Sequence, residues 1–479
     1  MINLNEVISW TNGQVLLEGN SEFDGIGTDT RGGLKHKLFI ALRGENFDAH
    51  QFLEKALHQE TYGILIDKLE FYQQLVENNK IQAFKKANVS IVLVDDTLKG
   101  LQNLAAHYRR KMGTKIIAIT GSNGKTTSKE FTAQVLKSHF HIHYNVGSFN
   151  NHWGVPISLL QLKEEHQVAV IEMGMDHYHE IENLVKIADP DIVVCTMVGN
   201  AHIENFGSLE NISKAKEEIY IFAKAEAIRI FNLDNEYTKK MFDKYNLHGR
   251  AITFSESSIS SEVCLKVKES HIDFLSIQGT ILGVENQIKV GVFGEQNITN
   301  IMVAASVGVA LGLSADVIWN SLTHIKTNWG RNQFVSSDRG CKILFDGYNA
   351  NFDSMTSLLK NFSQLRTSGV KVAVLAEMLA IGDKTNDFHQ RIGALAVVCG
   401  FREIIFYGKP WQAFLEGVKR AENEMKVEVN CLATQELTEE IYHKVESLDI
   451  PQNLICVKGS RGMETEKVIK RLVKTFPSK

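Results

Sequence analysis

A chain of 479 residues suggests about three domains, each long enough to bury its own core. Its hydrophobic content of 44% and charged content of 23% are those of a soluble globular protein, and a net charge of −4 gives no reason to expect nucleic acid or an anionic membrane as a partner. Six scattered cysteines without a C-x-x-C argue against a disulfide framework or zinc site.

The opening "MINLNEVISWTNGQ" lacks a basic region followed by an apolar core, and no apolar run approaches the roughly 20 residues of a membrane span. A cytoplasmic protein in a reducing compartment is therefore expected. In the first 110 residues "HKLFIALRG", "YGILID" and "VSIVLVDD" read as strands, and "AHQFLEKALHQ" and "LQNLAAHYRRK" as helices. A boundary falls near Gly113. Beyond it "KIIAIT", "VAVIEMG", "DIVVCTMV" and "AIRIFNLD" read as parallel-type strands, followed by the helical "NITNIMVAASVGVALGL". The polar "THIKTNWGRNQF" reads as a linker with a second boundary near Thr327, after which "CKILFDGY", "VKVAVLAEM", "REIIFYG" and "NLICVKGS" alternate with helices. The expected fold is α/β throughout. It comprises an N-terminal α/β substrate domain (1–112), a central P-loop ATPase-type, mostly parallel sheet (113–327) and a C-terminal Rossmann-like α/β domain (328–479).

The segment "KIIAITGSNGKTTSKEF" carries the chemistry of the middle domain. A standard phosphate loop reads G-x-x-x-x-G-K-[ST]. Counting back five from Gly124 gives Ile119, so this loop is the shorter Gly121-Ser122-Asn123-Gly124-Lys125-Thr126-Thr127. A strand, a glycine loop and a helix start would still aim backbone N–H groups at an anion, with Lys125 adding a point charge. The plainer alternative is a glycine-rich turn capping an ordinary helix. Thr126 is the natural hydroxyl ligand for Mg²⁺ at such a loop. Glu172 lies inside an apolar run, where a carboxylate is costly unless paired or metal-bound. His202 and Glu204 follow another strand; alone, a loop histidine is more often a simple hydrogen-bonding residue.

Two clusters near the end are unusual for plain structure. "FDGYNANFDSM" sets Asp346, Asn349, Asn351 and Asp353 within eight positions after a strand, and "VKGSRGM" brings Lys458, Ser460 and Arg461 after another. Turn chemistry explains Asn, Asp and Gly at strand ends. Two polar strand ends in a domain without its own phosphate loop nevertheless suggest a second substrate.

The segments "TGSNGKTT", "NVGSFNNHWGVPISLL", "VIEMG", "GNAHIENFGSLENISKAKEEIY", "GEQNITNIMVAAS", "GRNQF", "DGYNANFDSM" and "VKGSRGMETEKV" occur in the order seen in the Mur ligases, which the chain resembles from Thr28 to Arg461. "NNHWGVP" paired with "GYNANFDSM" is most similar to the branch that adds D-alanyl-D-alanine to a UDP-N-acetylmuramoyl-tripeptide. Four segments depart from the family pattern: "GEQN" for "GRHN", "FDGYN" for "DDSYN", "AEM" for "GDM", and "EMGMDHYHEI" for "EMGANHxGEI". The resemblance implies an ATP-dependent ligase working through an acyl phosphate, with the short loop, Gly121 to Thr127, cradling ATP; a monomer is expected. It further implies that Lys125 neutralises the transferring phosphoryl group, that Thr126 and Glu172 hold one Mg²⁺, and that His202 holds a second. Lys216 matches the family's carbamate-bearing lysine, although by itself it reads as a solvated helix lysine. Asn297 and Asn300 match positions near adenine, and Arg331 and Asp346 would reach ATP from the third domain. Thr30, Arg31 and Asp48 are candidates for the uridine nucleotide, Asn150 and Asn151 for the peptide, and Asn349 and Asn351 for substrate in the third domain. A sister ligase of the Mur or folylpolyglutamate type is the nearest alternative. A P-loop kinase or nucleotide-binding regulator is the alternative of a different class.

Overall fold

A computed structural model describes residues 1–44 and 46–476. The chain forms two compact units. The first comprises Met1–Ala118, Phe140–Asp191 and Ile221–Ala227; the second comprises Ile119–His139, Ile192–Tyr220 and Ile228–Lys479.

In the first unit a five-stranded sheet runs in the order Gln14–Leu17, Ser90–Leu93, Gly63–Ile66, Leu38–Ile40, Ile26–Gly27. Only its Gln14–Leu17 edge is antiparallel. The inner strands are continuous apolar runs, as sheets covered on both faces require. Phe39, Ile64, Ile66, Phe84 and Ile91 build one core cluster. Helix Thr97–Met112 starts where Asp96 accepts from Lys99 N–H and stops at Gly113, whose φ of +65° suits a residue without a Cβ. The fully buried strand Val168–Glu172 pairs in parallel with Ile142–Tyr144.

In the second unit Ile192–Cys195, Ile228–Asn232, Ala251–Ser255 and Val263–Ser270 pair successively in parallel. Leu275–Ile281 and Val284–Val290 then continue as an antiparallel meander that the sequence reading passes over. Helices Lys125–Leu136 and Asn297–Ala310 pack against each other. A separate six-stranded sheet has the order Gln333–Ser336, Lys342–Asp346, Leu454–Lys458, Lys371–Ala376, Glu403–Tyr407, Asn430–Thr434, antiparallel only at its first pair. Ile343, Phe345, Val374, Ile405, Val457 and Ile469 fill its core. Asp346 and Lys458 end adjacent parallel strands in matching register, so their side chains emerge together at the carboxyl edge, where α/β sheets collect functional groups. Among the described residues no helix is long and apolar enough to cross a membrane.

Candidate active site

The strand Lys115–Thr120 leads into the glycine loop and the loop into helix Lys125–Leu136, as the sequence implies. Both glycines are required by space and conformation. Gly121 has φ +144°, and a Cβ there would lie 1.9 Å from Thr196 Oγ1. Gly124 has φ +82°, and a Cβ there would lie 2.4 Å from Asn300 Oδ1. The loop is held from the side by the segment after strand Ile192–Cys195. Thr196 Oγ1 donates to Asn123 O (2.6 Å), Ser122 N–H donates to Met197 O (2.8 Å), and Ser122 Oγ exchanges hydrogen bonds with Gly199 O and N–H. Sequence reasoning missed Thr196, because a threonine after a strand carries no distinctive pattern. Lys125 Nζ donates to Gly121 O (2.7 Å), which sets its charge over the loop's own backbone. Thr126 is buried in the first helical turn, and Gly124 has no side chain with which to cap that turn.

Asn297 and Asn300 act on the loop through a chain of amides. Asn300 Oδ1 accepts from Ser128 Oγ (3.0 Å), Asn300 Nδ2 donates to Asn297 Oδ1 (3.0 Å), and Asn297 Nδ2 donates to Phe293 O (2.7 Å). Beside them an open pocket is lined by Thr127, Phe131, Asn297, Asn328 and Arg331. The structure thus brings Thr127, Asn297 and Arg331 to one cavity.

His202, at φ +66°, opens the short helix Ile203–Phe206. Lys216 is only 1% exposed on helix Leu209–Ile221, whereas Lys214, two positions earlier, is exposed. Burial overturns the reading of Lys216 as a solvated helix lysine. Among the described residues no three His, Cys, Asp or Glu side chains gather as a metal cage. A hydroxyl such as Thr126 and a lone carboxylate are nevertheless the donors Mg²⁺ takes when substrate phosphates and water complete its shell.

In the first unit Glu172 is buried at the end of its strand. Asn150 Nδ2 donates to its Oε1 (2.7 Å), and its own N–H donates to Asn145 Oδ1 (2.9 Å). Asn151 Oδ1 accepts from the N–H groups of Trp153 and Gly154 (3.2 and 2.9 Å), so its side chain supports the turn into helix Gly154–Leu159. Thr30 is buried and its carbonyl accepts from Gln59 Nε2. Arg31 is exposed and paired with Asp29 at 2.7 Å. Burial works against ionisation of Asp48, but hydrogen bonds from Lys68 and His50, each at 2.6 Å, hold its carboxyl down to about 2.

The polar strand ends of the six-stranded sheet form one cluster. Lys458 Nζ, buried, bonds Asp346 Oδ2 and also donates to Asn349 O (3.0 Å), while Asn332 N–H donates to Asp346 Oδ1 (3.2 Å). The Arg331 guanidinium stacks 3.8 Å from the Tyr348 ring centre. Arg461 lies apart from Asp346's contacts, paired with Glu466 at 2.7 Å. Asn351 caps helix Phe352–Ser363 in a reciprocal box with Ser354. Its Nδ2 also donates to Asn123 Oδ1 of the glycine loop (2.7 Å), and Asp353 accepts from Asn200 N–H and Nδ2 (2.9 and 3.0 Å). The loop after Asp346 and the glycine loop therefore share a direct hydrogen bond.

Residues 119–308 match the family model described as the Mur ligase middle domain, and residues 330–461 match that of the Mur ligase glutamate ligase domain. A UDP-N-acetylmuramoyl-tripeptide--D-alanyl-D-alanine ligase of Bacillus subtilis is 32% identical over 94% of this chain and 93% of its own length. A crystal structure of MurF from Acinetobacter baumannii superposes with a TM-score of 0.86 at 25% identity, covering 99% of both chains. MurF ligase from Thermotoga maritima, solved in complex with ADP, shares the fold with a TM-score of 0.77 at 24% identity over 93% of this chain and 96% of its own.

Proposed function

The chain belongs to the Mur ligase family, and from that membership we propose that it joins D-alanyl-D-alanine to UDP-N-acetylmuramoyl-tripeptide with hydrolysis of ATP, in peptidoglycan precursor synthesis. The observation that carries the reading is the 2.7 Å bond from Asn351 to Asn123, because a ligase needs its phosphate loop and a second substrate-side loop on one site.

An amide bond is not formed spontaneously from a carboxylate and an amine in water, so the carboxylate must first be activated. The terminal peptide carboxylate attacks the γ-phosphorus, giving an acyl phosphate and ADP. The amine of D-alanyl-D-alanine then attacks the acyl carbon, and phosphate leaves with one oxygen of the former carboxylate. Both steps gather negative charge, so positioned cations and N–H groups are the main catalytic requirement. Lys125 and the first turn of helix Lys125–Leu136 supply them at the transferring phosphoryl group. Arg331 and Asp346 serve ATP from the far side of the linker, and Asn349 with Asn351 orients substrate beside the loop. Mg²⁺, when bound, supplies further charge neutralisation at the phosphates. Thr126, Glu172 and His202 keep their metal-side assignments, and a carbamate on Lys216 would turn a buried cation into an anion beside a metal. Thr30, Arg31 and Asp48 remain the candidates for the uridine nucleotide, with Asn150 and Asn151 for the peptide. The division into 1–112, 113–327 and 328–479, a monomeric state and a cytoplasmic setting complete the reading. The family-model matches at 119–308 and 330–461 support the two inner boundaries.

A panel of UDP-muramoyl peptides, each with and without D-alanyl-D-alanine, tests this. ADP release should need the tripeptide substrate and the dipeptide amine together, with a product heavier by the dipeptide less water. Acceptance of glutamate in place of the dipeptide would favour a sister ligase, and a stable phosphorylated product would favour a kinase.

A further inference from the structure

Helix Phe352–Ser363 is tied at both ends to the elements around the glycine loop. At its start Asn351 donates to Asn123 and Asp353 accepts from Asn200. Near its end Asn361, half-buried, uses its whole amide: Nδ2 donates to Gln296 Oε1 (2.7 Å), and Oδ1 accepts from Glu295 N–H (3.1 Å). Asn361 Nδ2 also donates to Ser357 O one turn back (2.8 Å), which fixes the rotamer that makes the reach. Asn351 and Asn361 are ten residues apart, about 15 Å along a helix.

The Glu295–Gln296 turn opens helix Asn297–Ala310, and that helix returns to the glycine loop through Asn297, Asn300 and Ser128. A closed ring results: Asn123, Asn351, helix Phe352–Ser363, Asn361, Gln296, Asn297, Asn300 and back to the loop helix. Glu295 and Gln296 stand in "GEQN", one of the segments that depart from the family pattern. Asn361 was not visible as a site residue in the sequence, because a lone asparagine late in a helix carries no motif.

We propose that Asn361 is a positioning residue for ATP, which with Gln296 closes a ring of side-chain amides holding helix Phe352–Ser363 across the nucleotide-binding face. This rests on the assignment of the glycine loop, Asn297 and Asn300 to ATP. Opening the ring at Asn361 removes the hydrogen bonds between the C-terminal part of the helix and the Glu295–Gln296 turn, so residues brought to ATP by this helix and its loop lose part of their fixed approach.

The test uses the full chain with Asn361→Leu, Gln296→Leu and the double substitution, leucine keeping the size of the side chain without its hydrogen bonds. Two quantities are read: affinity for a non-hydrolysable ATP analogue, and kcat and KM for ATP in the complete reaction. Asn361→Leu should weaken analogue affinity and lower kcat/KM about tenfold, the effect of losing both hydrogen bonds to the Glu295–Gln296 turn, mainly through KM, and Gln296→Leu, which loses one of the two, about threefold. The double variant should be no worse than Asn361→Leu alone, because that substitution already removes both bonds to the turn. Unchanged affinity in Asn361→Leu, losses that multiply in the double variant, or a lower melting temperature with unaltered affinity and KM would each overturn the proposal. A wild-type chain that binds the analogue yet releases no ADP would defeat the ligase reading, and the ring would then stand or fall on affinity alone.

Discussion

The glycine loop, Gly121 to Thr127, and the loop after strand Lys342–Asp346 share a plan: a strand ends, a polar turn follows, and a helix begins. They treat charge in opposite ways. Helix Lys125–Leu136 starts at a glycine that cannot cap it, with Lys125 beside its first turn. Helix Phe352–Ser363 is capped by its own Asn351 and Ser354, and Asp346 is already compensated by buried Lys458. A helix start without a side-chain cap, joined to a cation, is built to receive an anion, whereas a capped one with a closed ion pair is built to hold geometry. The first loop should therefore govern rate, and the second should govern stability and alignment.

The largest expected effect tests the open loop. Lys125→Ala should lower turnover about a thousandfold or more while urea midpoints stay close to wild type. Near-wild-type ADP release in that variant would remove the distinction between the two loops. Lys216 extends the same contrast, because its burial demands a role that exposed Lys214 does not need. Lys216→Ala should cut turnover about a hundredfold or more, and added acetate or formate should restore part of it by supplying the missing carboxylate oxygens. Lys214→Ala should stay within about 0.5 kcal/mol in stability and unchanged in rate. Equal, mild effects at both positions would defeat the carbamate assignment.

The second loop is probed through its ion pair. Asp346→Leu alone leaves Lys458 as a buried charge and should destabilise the protein by about 3 kcal/mol, while Asp346→Leu with Lys458→Met should regain most of that loss in denaturant melts. A double variant as unstable as the single one would mean the pair is not the closed unit described above. The smallest effect belongs to Asn351→Ala, about 1 kcal/mol for a lost cap, together with a higher KM for ATP from the lost bond to Asn123. A stability loss without any change in KM would confine Asn351 to capping.

Most of the sheet framework was legible because its strands are unbroken apolar runs. "KIIAIT", "VAVIEMG", "CKILFDGY" and "NLICVKGS" contain the strands Lys115–Thr120, Val168–Glu172, Lys342–Asp346 and Leu454–Lys458. The meander was not legible, since a strand such as Val284–Val290 is exposed at most positions and offers no apolar run. In the site, Gly121, Gly124 and Lys125 were visible from the apolar strand before them and the helical pattern after them, although their spacing is shorter than the standard loop. Burial of Lys216 was not, because "SKAKEEIY" looks polar although Lys216, Glu217 and Glu218 are all buried. The partnerships of Asn123 with Asn351 and of Gln296 with Asn361 join residues 228 and 65 positions apart, and only the tertiary fold brings them together.

The claim that the open loop activates a carboxylate by phosphorylation has a direct isotopic test. UDP-N-acetylmuramoyl-tripeptide labelled with ¹⁸O in its terminal carboxylate is turned over with ATP and D-alanyl-D-alanine, and the released phosphate is weighed by mass spectrometry. Formation of an acyl phosphate predicts one ¹⁸O atom in each phosphate released, and none when D-alanyl-D-alanine is coupled without labelled carboxylate. Unlabelled phosphate accompanying a labelled amide product would mean that the carboxylate oxygen never reaches phosphorus, and would contradict the account.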